Sequence, residues 1–178
     1  FWAMVFNPSS VDRLLHVVSG AWLAGAFLII SVSAYYLLKD RHIRFAKASI
    51  KIALIVVMIA SLFQLFTGHR SAVGVHENQP AKLAAMEAVF DDQTNAPLYL
   101  FGWVDSENQK VDFSIAVPGM LSYLIGFDSN TKVTGLNSFK KEDRPPVNIV
   151  FQAYHLMVAI GFALIGISLL GIFFWWRG

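Results

Sequence analysis

Leu14 to Leu38 reads LLHVVSGAWLAGAFLIISVSAYYLL, a run without Asp, Glu, Lys or Arg whose one ionisable side chain is His16. Crossing about 30 Å of hydrocarbon at about 1.5 Å per residue takes about 20 residues, so this run has the length of a membrane span. Ile52 to Gly68 is a second uncharged run, long enough once Lys51 extends its ammonium to the interface. Asn148 to Trp176 is a third, with His155 as its only ionisable group. The chain is 56% hydrophobic and 15% charged, with a mean hydropathy of +0.53, which is too apolar for an ordinary soluble domain. The expected fold is an all-α integral membrane protein: three transmembrane helices with a long outer-face loop between the second and third. It divides into a helical hairpin bearing His16 (1–67), the outer loop (68–146) and a third helix bearing Met157 (147–178).

Charge sets the expected orientation. Lys39-Asp40-Arg41-His42-Ile43-Arg44-Phe45-Ala46-Lys47, followed by Lys51, is a short basic connection of the kind that stays cytoplasmic. Arg177, beyond the interfacial pair Trp175-Trp176, then lies inside as well, and the N-terminus and the 68–146 loop lie outside. None of the runs has the basic flank, length and small-residue cleavage site of a signal peptide. The chain has no cysteine, which removes disulfides, thiolate metal sites, iron–sulfur clusters and covalently attached haem. A net charge of +2 gives no reason to expect nucleic acid as a partner.

A connection of roughly 80 residues is far beyond ordinary loop lengths and is expected to be functional. Within it, Pro80 to Phe90 reads as a short helix, with proline in the first turn and good helix formers behind it. Ser114 to Gly126 is apolar but too short to span, and Pro118-Gly119 interrupts it, so it reads as interfacial or packed on the bundle. Ser106 to Val111 and Phe127 to Arg144 read as polar turns.

An ionisable residue at membrane depth is a functional candidate by default. His16 is followed at helical spacing by Gly20 and Ala24, so it heads a face of small side chains. That face suits either close helix packing, with His16 merely hydrogen-bonded, or a flat macrocycle lying beside an axial ligand. Met157, with Gly161 four residues on, repeats the pattern in the third run, although methionine is also an ordinary core filler. His and Met on two helices form a recognised axial pair for haem. His155 lies about 200° around the helix from Met157 and cannot face the same iron; it suits a propionate or a quinol oxygen. His42 reads as solvated, and His69 and His76 as residues at the start of the outer loop. Lys82 and Glu87, about 140° apart on a helix, could bracket a bound hydroxyl or quinone ring, the carboxylate accepting the proton that a quinol loses on oxidation. The plainer reading is a solvated helix.

Several stretches resemble subunit I of the cytochrome bd-type quinol oxidases. Arg13-Leu14-Leu15-His16-Val17-Val18-Ser19-Gly20 is similar to its fifth helix and Phe45-Ala46-Lys47 to the next inner loop. Gln79-Pro80-Ala81-Lys82-Leu83-Ala84-Ala85-Met86-Glu87 is similar to the start of its quinol-binding loop, and Pro145-Pro146-Val147 through Tyr154-His155-Leu156-Met157-Val158 to the approach to its seventh helix. The resemblance implies that His16 and Met157 are axial ligands of a low-spin haem b, and that Lys82 and Glu87 take part in quinol oxidation. Many members carry Arg where this chain has His155. Family members have about nine helices and two further haems, of b and d type, on helices this chain does not match. The resemblance therefore implies a central portion of subunit I, working with the remaining helices or separate chains that supply them and with a subunit II-like partner in a prokaryotic cytoplasmic membrane. Two other readings stay open at this point: a haem b subunit exchanging electrons with quinone without reducing oxygen, and a haem-free structural membrane protein.

Overall fold

The computed structural model describes residues 1–7 and 9–177. A single turn, α1 (Trp2–Val5), precedes two long helices, α2 (Ser10–Leu38) and α3 (Ile43–Asn78). A short helix α4 (Pro80–Met86), two strands β1 (Leu98–Asp105) and β2 (Lys110–Val117), a second short helix α5 (Met120–Gly126) and a long helix α6 (Val147–Arg177) follow. Helices α2, α3 and α6 are each long and apolar enough to cross a membrane.

Local chemistry sets the ends. Helix α2 stops in a Schellman turn: Asp40 takes a left-handed φ of 51°, Arg41 N donates to Tyr36 O at 2.9 Å and Asp40 N to Leu37 O at 3.2 Å. Helix α3 runs ten residues past Gly68, so His69 and His76 sit on a helix and not in a loop, which corrects the sequence expectation. Its 36 residues measure about 54 Å, well beyond the hydrocarbon thickness, so its final turns leave the apolar slab. It ends where Pro80 forces Gln79 out of helical geometry (φ −142°, ψ 57°).

The chain forms two compact units. The first comprises 1–68 and 160–178. Its contacts are built from small and branched residues, with Leu23, Ala26, Ala53, Val57 and Ala60 buried and Phe27, Ile30 and Leu164 packed on them. Such residues let helix backbones approach where lipid gives no hydrophobic drive to association. At Gly171 an added Cβ would lie 2.7 Å from Leu54 Cδ2, so the leucine packs onto bare helix there and would have to shift for a larger residue. Ser19, Ser61 and Ser168 return their hydroxyls to carbonyls one turn back, Ser168 to Leu164 at 2.6 Å, which satisfies these polar groups within their own helices.

The second unit comprises 69–159. Leu83, Ala84, Ala85, Val89, Ala96, Leu121, Ile125, Val133 and Leu136 form its core. Asp92 ties its loops together, accepting from Lys132 at 2.8 Å, Ser138 at 2.6 Å and Gly135 N at 2.9 Å. Those donors, Lys132 first, hold its carboxyl well below the usual carboxylate range.

This unit departs from the all-α expectation. Strands β1 and β2 pair antiparallel from Leu98↔Val117 to Asp105↔Lys110. Asp105 Oδ1 accepts from Glu107 N and Asn108 N at 3.1 and 3.0 Å, which closes the turn. The apolar 114–126 stretch is split between β2 and α5, and Gly119 makes the corner with φ +70°. The other edge of β1 is covered by α6: Asn148 Nδ2 donates to Val104 O at 3.3 Å and Gln152 Nε2 to Gly102 O at 2.8 Å. One turn on, His155 Nε2 lies 2.8 Å from Tyr99 O.

Candidate functional site

The segment from Gln79 to Val89 places its two charged residues very differently. Helix α4 is shorter than expected. It ends at Met86, with Glu87 as C-cap, Ala88 in the left-handed region (φ 51°) and Val89 N donating to Ala84 O at 2.9 Å. This is again a Schellman turn, and Val89 and Ala84 pack in the same core. Glu87 points inward, at 1% exposure, whereas Lys82 is exposed. Glu87 N still donates to Leu83 O at 3.0 Å, so the expected 140° separation holds and puts the two on opposite faces, and they do not form an ion pair among the described residues.

A carboxyl buried this deeply needs partners. Glu87 has a hydrogen bond to the side chain of Tyr154 on α6, while burial pushes its pKa up to about 7. Desolvation is the larger effect and the Tyr154 hydroxyl partly offsets it. Oxygen Oε2 is buried and has no hydrogen-bond partner among the described residues, as is Nδ1 of His76 on the last turns of α3. A buried carboxyl that changes protonation near neutral pH, with one oxygen unengaged, is equipped to take a proton from a hydroxyl brought to it. Tyr154 carried no signal in the sequence beyond its place beside His155.

His155 stacks on Phe151, ring centroids 3.9 Å apart at 25°. Its Nδ1 lies 2.9 Å from Phe151 O and its Nε2 faces Tyr99 O. Nε2 therefore serves the α6–β1 contact, while Nδ1 turns back to the carbonyl of its own helix. The signal for that contact was readable: Asn148, Gln152 and His155 repeat at 4 and 3 residues, a polar stripe on one face of an otherwise apolar helix. His69 packs edge-on against Phe127, with centroids 5.5 Å apart.

In the first unit, His16 is held by α3. Its Nδ1 lies 3.0 Å from Thr67 Oγ1, whose own hydrogen goes to Gln64 O at 3.3 Å. With Thr67 donating there and accepting from His16, Nδ1 carries the ring hydrogen and the Nε2 lone pair faces the Gln64 amide nitrogen at 3.0 Å, the arrangement this network accommodates. The other end of that amide takes the Ser19 hydroxyl. This is the tautomer a metal ligand needs: Nδ1–H fixed by a neighbour and Nε2 able to donate its lone pair once one flexible amide moves aside.

Packing does not demand glycine at position 20 or 161. A Cβ at Gly20 would make an ordinary 3.6 Å contact with Gln64 Nε2, and one at Gly161 would meet nothing within 4 Å. Met157 is 55% exposed, so its thioether is not acting as core filler within this chain. No group of three or more His, Cys, Asp or Glu that could hold a metal occurs among the described residues; a His/Met haem site does not call for one. Imidazole and thioether are donor types that a haem iron accepts.

Known proteins match nearly the whole chain. The family model for cytochrome bd terminal oxidase subunit I matches residues 1–177, and the chain belongs to that family. It is 34% identical over 182 residues to the cytochrome bd ubiquinol oxidase subunit 1 of Bacillus subtilis (strain 168), covering 97% of this chain and 39% of that protein. It is 31% identical over 161 residues to the cytochrome bd-II ubiquinol oxidase subunit 1 of Escherichia coli (strain K12), covering 90% of this chain and 31% of that one. The structure of bd oxidase from Geobacillus thermodenitrificans matches with a TM-score of 0.84 at 30% identity, over 93% of this chain and 38% of that chain. The chain thus spans between about a third and two fifths of the length of these relatives.

Proposed function

We propose that this chain is the quinol-oxidising, electron-input part of a cytochrome bd-type terminal oxidase. The observation that carries the reading is Glu87: buried, bonded to Tyr154 through its side chain, and with Oε2 unengaged in the segment most similar to the family's quinol loop. Exposed Lys82, five residues earlier, supplies a cation to orient the quinol oxygen. Oxidation of a quinol to a quinone releases two electrons and two protons, and Glu87 Oε2 accepts a hydroxyl proton. A carboxyl that ionises near pH 7 can both take that proton and return it to water.

His16 and Met157 are the residues we assign to a low-spin haem b, with Gly20 and Gly161 keeping the helix faces beside them free of side chains. The haem supplies the one-electron acceptor. The protein's part is to present His16 Nε2 with its hydrogen on Nδ1, and to keep water from the ring within an apolar helix. His155 can meet a propionate only by giving up the Tyr99 carbonyl, so its first task in this scheme is to hold the hairpin. Further haems of b and d type, the remaining helices of subunit I and a subunit II-like partner belong to the complete complex, in a prokaryotic cytoplasmic membrane. The 68–146 segment and the N-terminus lie on the outer face, with the basic α2–α3 turn and the C-terminus inside. Membership of an oxidase family favours oxygen as the eventual acceptor over a quinone-only electron carrier.

The test is made on the intact complex. Reduced-minus-oxidised spectra show a low-spin b-type band that His16→Ala and Met157→Ala abolish, and Glu87→Gln lowers quinol-dependent oxygen uptake while leaving the band in place. A complex that lacks the band, or whose uptake is indifferent to Glu87, overturns the proposal.

A further inference from the structure

A cavity of about 540 Å³ opens in the first unit among the three long helices. Its apolar walls include Phe27, Ile30, Leu54 and Ile167, and its lining also includes Lys47, Lys51 and Trp175. The last three lie on the opening turns of α3 and the closing turns of α6, so they cluster at the end nearest the α2–α3 turn. Lys51 Nζ sits 5.5 Å from the centre of the Trp175 ring. Gly171 lines the cavity too, at the point where α6 closes on Leu54.

We infer that this cavity binds an anionic phospholipid, one acyl chain between the helices and the phosphate on Lys47 and Lys51. The volume is that of a small-molecule site. Its two-part chemistry selects an amphiphile: a free anion leaves the apolar walls unused, and a zwitterionic or neutral lipid leaves the paired ammonium groups without net compensation. Lys39, Arg41 and Arg44 on the same turn, against Asp40 alone, add to the positive field. A tryptophan at headgroup depth beside lysines is the usual arrangement at a membrane interface. None of these residues belongs to the quinol or haem assignment, so the inference stands apart from it.

The test uses the full complex, purified and exchanged into mixed phosphatidylglycerol and phosphatidylcholine, with retained lipid counted by native mass spectrometry. The wild type retains a phosphatidylglycerol that Lys47→Gln/Lys51→Gln binds about thirty-fold more weakly, from ~1 kcal/mol for each basic residue at ~1.4 kcal/mol per tenfold. Ile167→Trp fills the slot, leaves both lysines, and loses the same lipid. Inorganic phosphate does not release it, and a photo-reactive residue at Ile50 captures lipid. Equal retention in all variants overturns the inference. So does loss in the lysine variant alone or release by phosphate, since each leaves only a headgroup contact. Capture of polypeptide at Ile50 also overturns it, by showing the slot filled by another helix.

Discussion

Replacing Tyr154 by Phe removes one hydroxyl and nothing else from the surroundings of Glu87, and its effect on quinol oxidation can be worked out beforehand. The carboxyl has a pKa of about 7 because burial raises it and the Tyr154 hydrogen bond pulls it part of the way back. A hydrogen bond to a charged group contributes about 1.5–3 kcal/mol, equivalent to about one to two pH units. Its loss lifts the Glu87 pKa to about 8–9. The proton acceptor is the ionised form, present as about half the molecules at pH 7 in the wild type and about 1–9% in the variant. We therefore expect kcat/KM for quinol to fall about 5- to 50-fold at pH 7 and to converge on the wild-type value above about pH 10. The assay is quinol-dependent oxygen uptake by the intact complex across pH, with the b-type band as a check on assembly. An acid limb that stays near pH 7, or a loss of the same size at every pH, refutes the assignment of Glu87 as proton acceptor positioned by Tyr154.

The same carboxyl governs stability. Its folded pKa lies above the ordinary 4.5, so the native state holds the proton more tightly and stability is full below about pH 4.5 and lost as pH rises to about 7. The linked change is about 3 kcal/mol, and Glu87→Gln should abolish this slope in melting temperatures of the complex measured over that range. Gln152→Ala leaves the Gly102 carbonyl without its donor, at a cost of about 1–3 kcal/mol, and should speed limited proteolysis within 98–117 without changing the b-type band. Gly171→Val forces a branched side chain against Leu54 and should lower stability by about 1–3 kcal/mol in the same melting assay.

The three long helices were legible because a membrane span is written in length and absence of charge, both local properties. Their ends were less so. Gly68 reads as the limit of an apolar run, but α3 continues through His69 and Arg70 to Asn78 because helix propensity does not stop where lipid does. Pro80, which restricts the residue before it, marks the actual end. The hairpin was missed for a different reason. Leu98 to Val117 alternates poorly, and β1 and β2 deviate from regular register near Gly102, so no period of two survives in the sequence. What holds β1 is not a third strand but the side-chain donors of α6, and a helix built to serve a strand edge looks in sequence like a span with stray polar residues.

The candidate site was legible in its ligands and not in its supports. His16 stands out as an ionisable residue in an apolar run, whereas Lys82, Glu87 and Met157 stand out by their place in stretches that resemble the family. Burial of Glu87 was not foreseen, since a short helix in a long polar segment reads as solvated on all sides. Its place about 140° around the helix from Lys82 puts it on the face packed against the core, where desolvation gives it a proton affinity that a solvated glutamate lacks. Gln64 and Thr67 decide which nitrogen of His16 is free to ligate, although each reads as an unremarkable polar residue within an apolar run. Their spacing of three residues on one face of α3 acquires meaning only when α3 lies against α2 and both meet one imidazole. Chemistry at this site is therefore set less by the residues that stand out in the sequence than by the ordinary hydroxyls and amides that fix where their hydrogens lie.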